Sequence, residues 1–217
     1  MARNKYPEET VQKILDVSLE LFLEKGYDQT TISDIVEHLG GLSKGAIYHH
    51  FKSKEEIIDA VTTRMSLNTG WIQEIRSCKE YGGLGKLRKI FIHSISDNRQ
   101  LKIYISAESL LKNPKFISRL IEESIKVSAP LVEEIIKEGN EDGSLAVKSP
   151  KDTAEITMLL FNIWFSPAVL PVDKRRYFEK VIFLQNLLEN MGLPLIDEEF
   201  INVSEKYWSL ISDGRCK

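Results

Sequence analysis

Apolar residues recur at three- and four-residue intervals along almost the whole chain, and this spacing constrains the fold more than any other feature of the sequence. One clear example runs from Val11 through Ile14 and Leu15 to Phe22. Such a stripe is typical of an amphipathic helix, whereas a half-buried strand alternates apolar and polar residues. No segment shows the strand pattern. The sequence therefore predicts an all-α protein.

Prolines, glycines and capping residues indicate where the helices begin and end. Pro7, followed by two glutamates, suits a helix start and Gly26 suits a helix end, which predicts a first helix over 7–25. Two short helices follow before residue 52. Longer helices are then predicted over 53–78, 84–98, 100–112, from Pro114 to just before Gly139 with an interruption near Pro130, and over 151–170, 174–191 and 197–212.

Composition is that of an ordinary globular protein. The chain has 217 residues, 42% of them hydrophobic, and no run approaches the roughly 20 apolar residues of a membrane-spanning helix. The N-terminus is charged and has no apolar signal core, so we expect a cytoplasmic protein with no membrane partner. Cys78 and Cys216 lie far apart, which predicts two free thiols and no disulfide framework.

Two short helices joined by a glycine-containing turn have the sequence form of a helix-turn-helix. The first has Thr31 and Asp34 at the spacing of a capping box and ends at the pair Gly40 and Gly41. Ser43 then caps the second, in which Ile47 and Phe51 are predicted to face inward. A further capping box, Ser53 with Glu56, opens the long connecting helix. This predicts an N-terminal domain over 1–52 and a larger helical domain over 53–217.

The distribution of charge, more than its sum, suggests a partner for this region. The formal net charge is −3, yet residues 39–54 contain three lysines and no acid. Lys44 and Lys54 each follow a serine cap, at the positive end of a helix dipole, where a cation is unfavourable unless an anion is close. Helix N-termini bind phosphate through free N–H groups, so a DNA backbone is the expected anion.

The segment TTISDIVEHLGGLSKGAIYHHFKSKEEII, preceded by LELFLEKGYDQ, resembles the DNA-binding domain of the TetR (tetracycline-repressor) family over about residues 10–60. The later segment EGNEDGSLAV is similar to a polar loop of many members. The turn HLGGLS departs from the usual AGVS pattern by one added residue, which glycine absorbs through a positive φ. The resemblance implies that double-stranded DNA is contacted by Thr31, Ser43, Lys44, Gly45, Ala46, Tyr48, His49, His50 and Lys54.

The histidines do not predict a metal site. His49 and His50 are adjacent and would point about 100° apart on a helix, which is poor geometry for one shared ion. His38 and His93 have no other histidine or cysteine close by in the sequence. No metal and no cofactor is predicted.

Residues 156–170 contain no charged side chain, and the next predicted helix offers a second broad apolar surface. A helix that is apolar all round must be buried on two sides. Together the two helices predict a four-helix interface of a homodimer, the arrangement that the resemblance also implies, although a core helix of a monomer fits the same pattern. The predicted interface residues are Leu160, Ile163, Phe178, Ile182, Gln185 and Leu188.

The resemblance further implies a pocket for a small-molecule effector in the larger domain. The sequence does not identify the effector. The candidate lining residues are Trp71, Phe91, His93, Tyr104, Glu108, Phe116, Phe161, Asn162 and Trp164.

A homodimeric, ligand-responsive repressor that binds a roughly palindromic DNA operator is the function that these features predict. No grouping of nucleophile, base and acid indicates an enzyme. Two alternatives remain at this stage: an all-helical dimeric interaction module, and an enzyme without DNA binding.

Overall fold

The computed structural model describes residues 7–67, 70–96, 114–167 and 169–215. This part of the chain is helical, with no strand, as predicted. The helices are α1 Pro7–Lys25, α2 Ile32–His38, α3 Lys44–His50, α4 Lys54–Leu67, α5 Gly70–Ser77, α6 Gly83–Ser96, α7 Pro114–Glu123, α8 Ala129–Glu141, α9 Pro150–Leu159, α10 Lys174–Asn190 and α11 Glu198–Arg215.

The described helices belong to two compact units. The first contains α1 to α4, and the second contains α5 to α11. In the first unit, α1 packs against α2 and α4, and α2 packs against α3. Its core consists of the buried side chains Ile14, Leu15, Leu21, Phe22, Tyr27, Ile35, Ile47, Phe51, Ile57, Ile58 and Val61.

Aromatic rings form the centre of the second unit. Phe161 packs on Phe91 with ring centroids 4.5 Å apart, and Phe165 packs on Tyr177 at 5.0 Å. Around them α8 contacts α6 and α9, and α11 contacts α6. None of the helices in the described ranges is long and apolar enough to span a lipid bilayer.

Several predicted boundaries are confirmed. Helix α1 has the predicted limits. The span 53–78, predicted as one long helix, instead contains two described helices, α4 and α5. The irregularity expected near Pro130 is a π-helical turn, Ser124–Ser128, that directly precedes α8. A wider turn accommodates the missing proline N–H. The helix predicted over 100–112 lies outside the described residues.

Two boundary predictions are wrong. Helix α8 does not end before Gly139 but continues through it to Glu141, because Gly139 lies under the side chain of Leu145 and opposite Gly83. The helical segment that starts with α9 continues as a π-helical turn, Leu160–Trp164, and does not reach residue 170. Pro167 interrupts it, since proline lacks an N–H and disfavours helical backbone in the residue before it.

Candidate nucleic-acid interface

Helix α3 is held by two buried side chains and presents the rest of its surface to solvent. Ile47 is fully buried and Phe51, which ends the helix, is 8% exposed. The Ala46 N–H donates to Ser43 Oγ over 3.2 Å, which confirms the predicted cap. Lys44, Gly45, Tyr48 and His49 are exposed, while Ala46 and His50 are half-buried. The predicted inward and outward faces of this helix are therefore correct.

The paired glycines between α2 and α3 both have positive φ. Gly40 has φ +55° and Gly41 has φ +132°, a region in which side chains other than hydrogen are strained. A Cβ atom at either position would contact nothing within 4 Å. Backbone conformation, and not crowding, accounts for glycine at both positions. The added residue is thus absorbed in the turn, as the sequence predicts.

The start of α2 is fixed by the predicted capping box. The Asp34 N–H donates to Thr31 Oγ1 over 3.1 Å, and the Thr31 N–H donates to Asp34 Oδ2 over 2.7 Å. This second bond, together with Lys25, whose ammonium lies 3.1 Å from the same carboxylate, lowers the pKa of Asp34. Thr31 is exposed, so its side chain is accessible from outside the protein.

The capping box predicted for α4 is only half correct. The Glu56 N–H donates to Ser53 Oγ over 3.3 Å, as expected. The Glu56 carboxylate, however, accepts from the Lys52 N–H at 2.7 Å, one residue before the expected donor. The chain therefore enters α4 with the backbone of Lys52 tied to the first turn.

Lys44 and Lys54 have opposite environments although both begin a helix after a serine. Lys44 is exposed, and no group in the described part of the chain pairs with its ammonium. Lys54 Nζ donates to the carbonyl oxygens of Tyr27 and Thr30, at 2.8 and 2.9 Å, and lies 4.2 Å from the centroid of the Tyr27 ring. The sequence argument from the helix dipole assigns both cations to DNA phosphate, whereas the structure gives Lys54 two acceptors within the protein.

The two adjacent histidines meet edge to face. The rings of His49 and His50 have centroids 5.1 Å apart and planes at 69°. The two rings therefore contact each other at the end of α3, beside the exposed Tyr48. Their role in DNA contact remains a prediction.

The predicted effector residues fall into separate groups in the second unit. Phe91 and Phe161 are buried against each other, and Trp71 stacks on His93 at 3.9 Å with nearly parallel rings. Asn162 Nδ2 donates to Ser124 Oγ over 2.9 Å, which joins the two π-helical turns. Phe116 is half-buried in α7. Tyr104 and Glu108 lie outside the described residues.

Trp164 belongs to a different group, which the sequence did not indicate. Its carbonyl oxygen accepts from Lys180 Nζ over 2.5 Å, and the same ammonium lies 4.7 Å from the Trp164 ring. Lys180 is only 5% exposed, and this burial lowers its pKa. The lysine therefore caps the end of the π-helical turn, where a cation is favourable.

The predicted dimer residues divide into surface and core. Ile182 is 60% exposed, whereas Leu188 is fully buried in its own unit and is not available to a partner, which corrects that prediction. Leu160, Ile163, Phe178 and Gln185 are half-buried, and the Gln185 amide donates to the Ile196 carbonyl. The sequence did not single out Phe183 and Ile156, which are 56% and 44% exposed. Exposure of large apolar side chains is the signal that identifies them.

Residues 14–61 match the model of the family described as bacterial regulatory proteins, tetR family. The HTH-type transcriptional regulator AcrR of Shigella flexneri is 38% identical over 96 residues, which cover 43% of this chain and 44% of AcrR. The matched segment therefore spans less than half of that relative. The negative transcriptional regulator IcaR of the biofilm operon icaADBC, from Staphylococcus epidermidis, is 24% identical over 198 residues, 81% of this chain and 96% of IcaR.

The fold also matches a solved structure along most of the chain. A TetR-family transcriptional regulator from Pectobacterium atrosepticum superposes with a TM-score of 0.63 and 21% identity, covering 88% of this chain and 98% of that one. At this level of identity the match concerns the fold alone. It extends the similarity from the helix-turn-helix to the helices of the second unit.

Proposed function

Because the chain belongs to the tetR family of bacterial regulatory proteins, we propose that it is a sequence-specific DNA-binding regulator that represses transcription until a small-molecule effector releases it from its operator. The relatives are transcriptional regulators and not enzymes. Repression, as opposed to activation, is supported by the description of IcaR as a negative regulator.

The exposed start of α3 is the main observation that supports the proposal of DNA binding. Lys44 stands at the positive end of this helix, where its charge is unfavourable without an anion, and the first turn contains no acid. Next to it, Gly45 adds no side chain, so a DNA base edge could approach the helix backbone. We assign base contacts to Lys44, Gly45 and Ala46, and phosphate contacts to Thr31, Tyr48 and His50. Ser43 and His49 complete this surface at its two ends.

A homodimer is part of the proposal because a two-fold axis presents two copies of α3 to a palindromic operator. Ile182 and Phe183 of α10 are large apolar side chains more than half exposed, and Ile156 of α9 is also exposed. Adjacent exposed apolar side chains on a helix surface are typical of an interface. We propose that these residues, with Leu160, Ile163 and Phe178, form the contact between two copies.

The effector part rests on the second unit, in which aromatic side chains stand beside a few polar groups. Trp71 with His93, and Phe161 beside Asn162, combine an apolar surface with hydrogen-bonding groups, the composition of small-molecule sites. The effector would act through a difference in its affinity for the DNA-bound and free arrangements of the dimer.

Selection of bound duplexes from a random DNA library tests the proposal. We expect one roughly palindromic sequence to be enriched, and its affinity to fall steeply with salt because bound lysines release counterions from DNA. Lys44→Ala is expected to weaken binding, whereas Lys151→Ala, at an exposed lysine of α9, is expected to leave it unchanged. Release of the selected duplex by a compound from a screen tests the effector part.

Equal binding of selected and random duplexes at physiological salt would contradict sequence-specific recognition. A dimer with no salt-sensitive DNA binding would indicate an interaction module instead. Loss of DNA binding in Lys44→Ala with a preserved dimer would support the assignment of the surface.

A further inference from the structure

Lys54 links the beginning of α4 to the junction between α1 and α2. Its acceptors, the carbonyl oxygens of Tyr27 and Thr30, lie 27 and 24 residues earlier in the sequence. With the centroid of the Tyr27 ring 4.2 Å from the ammonium, two carbonyl acceptors and one π face are already in place around the charge. The cation therefore has an internal partner and needs no external anion to offset the dipole of α4.

We propose that Lys54 is a positioning residue of the DNA-binding surface: it fixes the start of α2 against the start of α4 and does not bind phosphate. The proposal rests on the proposed function, because it assumes that this surface binds DNA. It assigns to Lys54 a role different from the phosphate contact that the sequence predicts.

The junction that Lys54 holds is itself rigidly bonded. Thr30 is fully buried, and its hydroxyl donates to the Gly26 carbonyl over 2.7 Å and lies 3.3 Å from the Leu21 carbonyl oxygen. Tyr27 packs edge to face on Phe22, with centroids 5.4 Å apart. The end of α1 and the residues after it therefore move as one body with the Lys54 acceptors.

This body continues directly into α2. Thr31 follows Thr30 and caps α2 through the two hydrogen bonds with Asp34, and Asp34 also pairs with Lys25 of α1. A shift of the Thr30 carbonyl would therefore shift the Thr31 hydroxyl, which we assign to a DNA phosphate. The two Lys54 hydrogen bonds link this body to the start of α4.

Lys44 provides a matched control within the same protein. Both lysines are the first residue of a helix and follow a serine, but only Lys54 has partners in the described part of the chain. Replacement by methionine removes either cation and keeps a side chain of similar length. Each variant is tested on the selected duplex at a series of salt concentrations.

The slope of log affinity against log salt separates the two roles. Removal of a cation that contacts a DNA phosphate reduces the magnitude of this negative slope by about 0.9. We therefore expect a shallower salt dependence for Lys44→Met. For Lys54→Met we expect an affinity loss of about tenfold, the scale of one charged hydrogen bond, with the wild-type slope. Lys54→Arg keeps a cation able to donate to both carbonyls and should recover most of the affinity.

Amide hydrogen exchange gives a readout that a general loss of stability would not produce. Lys54→Met should speed exchange at the Asp34 and Ile35 amides of α2, whereas Lys44→Met should not. The exchange is measured at a temperature at which circular dichroism shows that both variants are folded. Thr30→Val removes a hydroxyl of the same junction without changing any charge. Thr30→Val should also lower the affinity for the selected duplex, with the slope of log affinity against log salt unchanged.

If Lys54→Met makes the salt dependence of the affinity as shallow as Lys44→Met does, the positioning role of Lys54 is overturned. The proposal that the protein binds DNA would still stand. Wild-type affinity in Lys54→Met and Thr30→Val would overturn the positioning role as well. If the wild-type protein binds no duplex in preference to random DNA, the proposed function fails, and this proposal fails with it.

Discussion

The backbone N–H of Gly83 donates a hydrogen bond of 2.7 Å to Oδ2 of Asp142, a residue 59 positions later in the chain. Next to it, the Leu84 N–H donates to Ser144 Oγ over 3.1 Å. The first N–H groups of a helix have no acceptor within that helix. The residues that follow α8 therefore cap the start of α6 from outside, which gives Asp142 and Ser144 of the polar segment EGNEDGSLAV a structural role.

The Asp142 cap predicts an acid-sensitive contribution to stability. Hydrogen bonds from Ser144, and then from the Gly83 N–H, lower the pKa of Asp142 in the folded state. This contribution is present above the unfolded pKa of about 4 and is lost as pH falls through the lower folded value. Asp142→Asn should therefore lower the melting temperature near neutral pH and have a smaller effect at about pH 2. Thermal unfolding across this pH range measures it, with Glu141→Gln as the control. A melting-temperature difference independent of pH would contradict the assignment.

Gly83→Ala is predicted to destabilise the second unit strongly. A Cβ atom at Gly83 would lie 2.4 Å from the Cα of Gly139 and 2.6 Å from the Ile135 carbonyl oxygen, and both of these are backbone atoms. Such contacts force α6 and α8 apart, at a cost of about 3 kcal/mol or more in the free energy of unfolding. Urea denaturation measures this cost. A change below about 1 kcal/mol would show that the two helices separate easily.

Gly45→Ala is predicted to stabilise the protein and to weaken DNA binding. The nearest atom to a Cβ at Gly45 would be Ser43 Oγ at 3.7 Å, an ordinary contact, so the fold does not require glycine at this exposed helical position. Alanine in place of glycine should add about 0.5–1 kcal/mol to the free energy of unfolding. We expect lower affinity for the selected duplex because the methyl group stands where DNA approaches. Denaturation and DNA titration of one sample test both effects, and unchanged affinity would remove Gly45 from the proposed base contacts.

Ile182→Asp combined with Phe183→Asp is predicted to convert the dimer to a monomer. Both side chains are more than half exposed, so the substitution should leave the fold intact while placing unpaired charges in the proposed interface. Sedimentation velocity measures the mass. Leu210→Asp in α11, at a side chain that is 41% exposed, is the control and should keep the dimer. Loss of the dimer in both proteins would argue against a specific interface on α10.

The local features of this protein were determined by the sequence alone. The limits of α1, the Thr31–Asp34 capping box, the Ser43 cap and the positive φ of Gly40 and Gly41 all follow from residues within four positions of each other. Hydrogen bonds at helix ends join residues three or four apart, so residue spacing carries the information. The family resemblance is concentrated in this same region, residues 14–61.

Tertiary structure alone decided which long-range partner each side chain received. Helical periodicity identifies the apolar face of α10 but does not state which neighbour covers it, so Leu188 lies in the core while Ile182 is exposed. Gly139 suits a helix end by residue type, yet the crossing with Gly83 keeps it inside α8. Lys54 follows a serine cap as Lys44 does, but only the packing of α1 on α4 brings two carbonyl oxygens to its ammonium. Spacing encodes contacts within a helix, whereas the environment of a charge depends on residues that the fold brings from far along the chain.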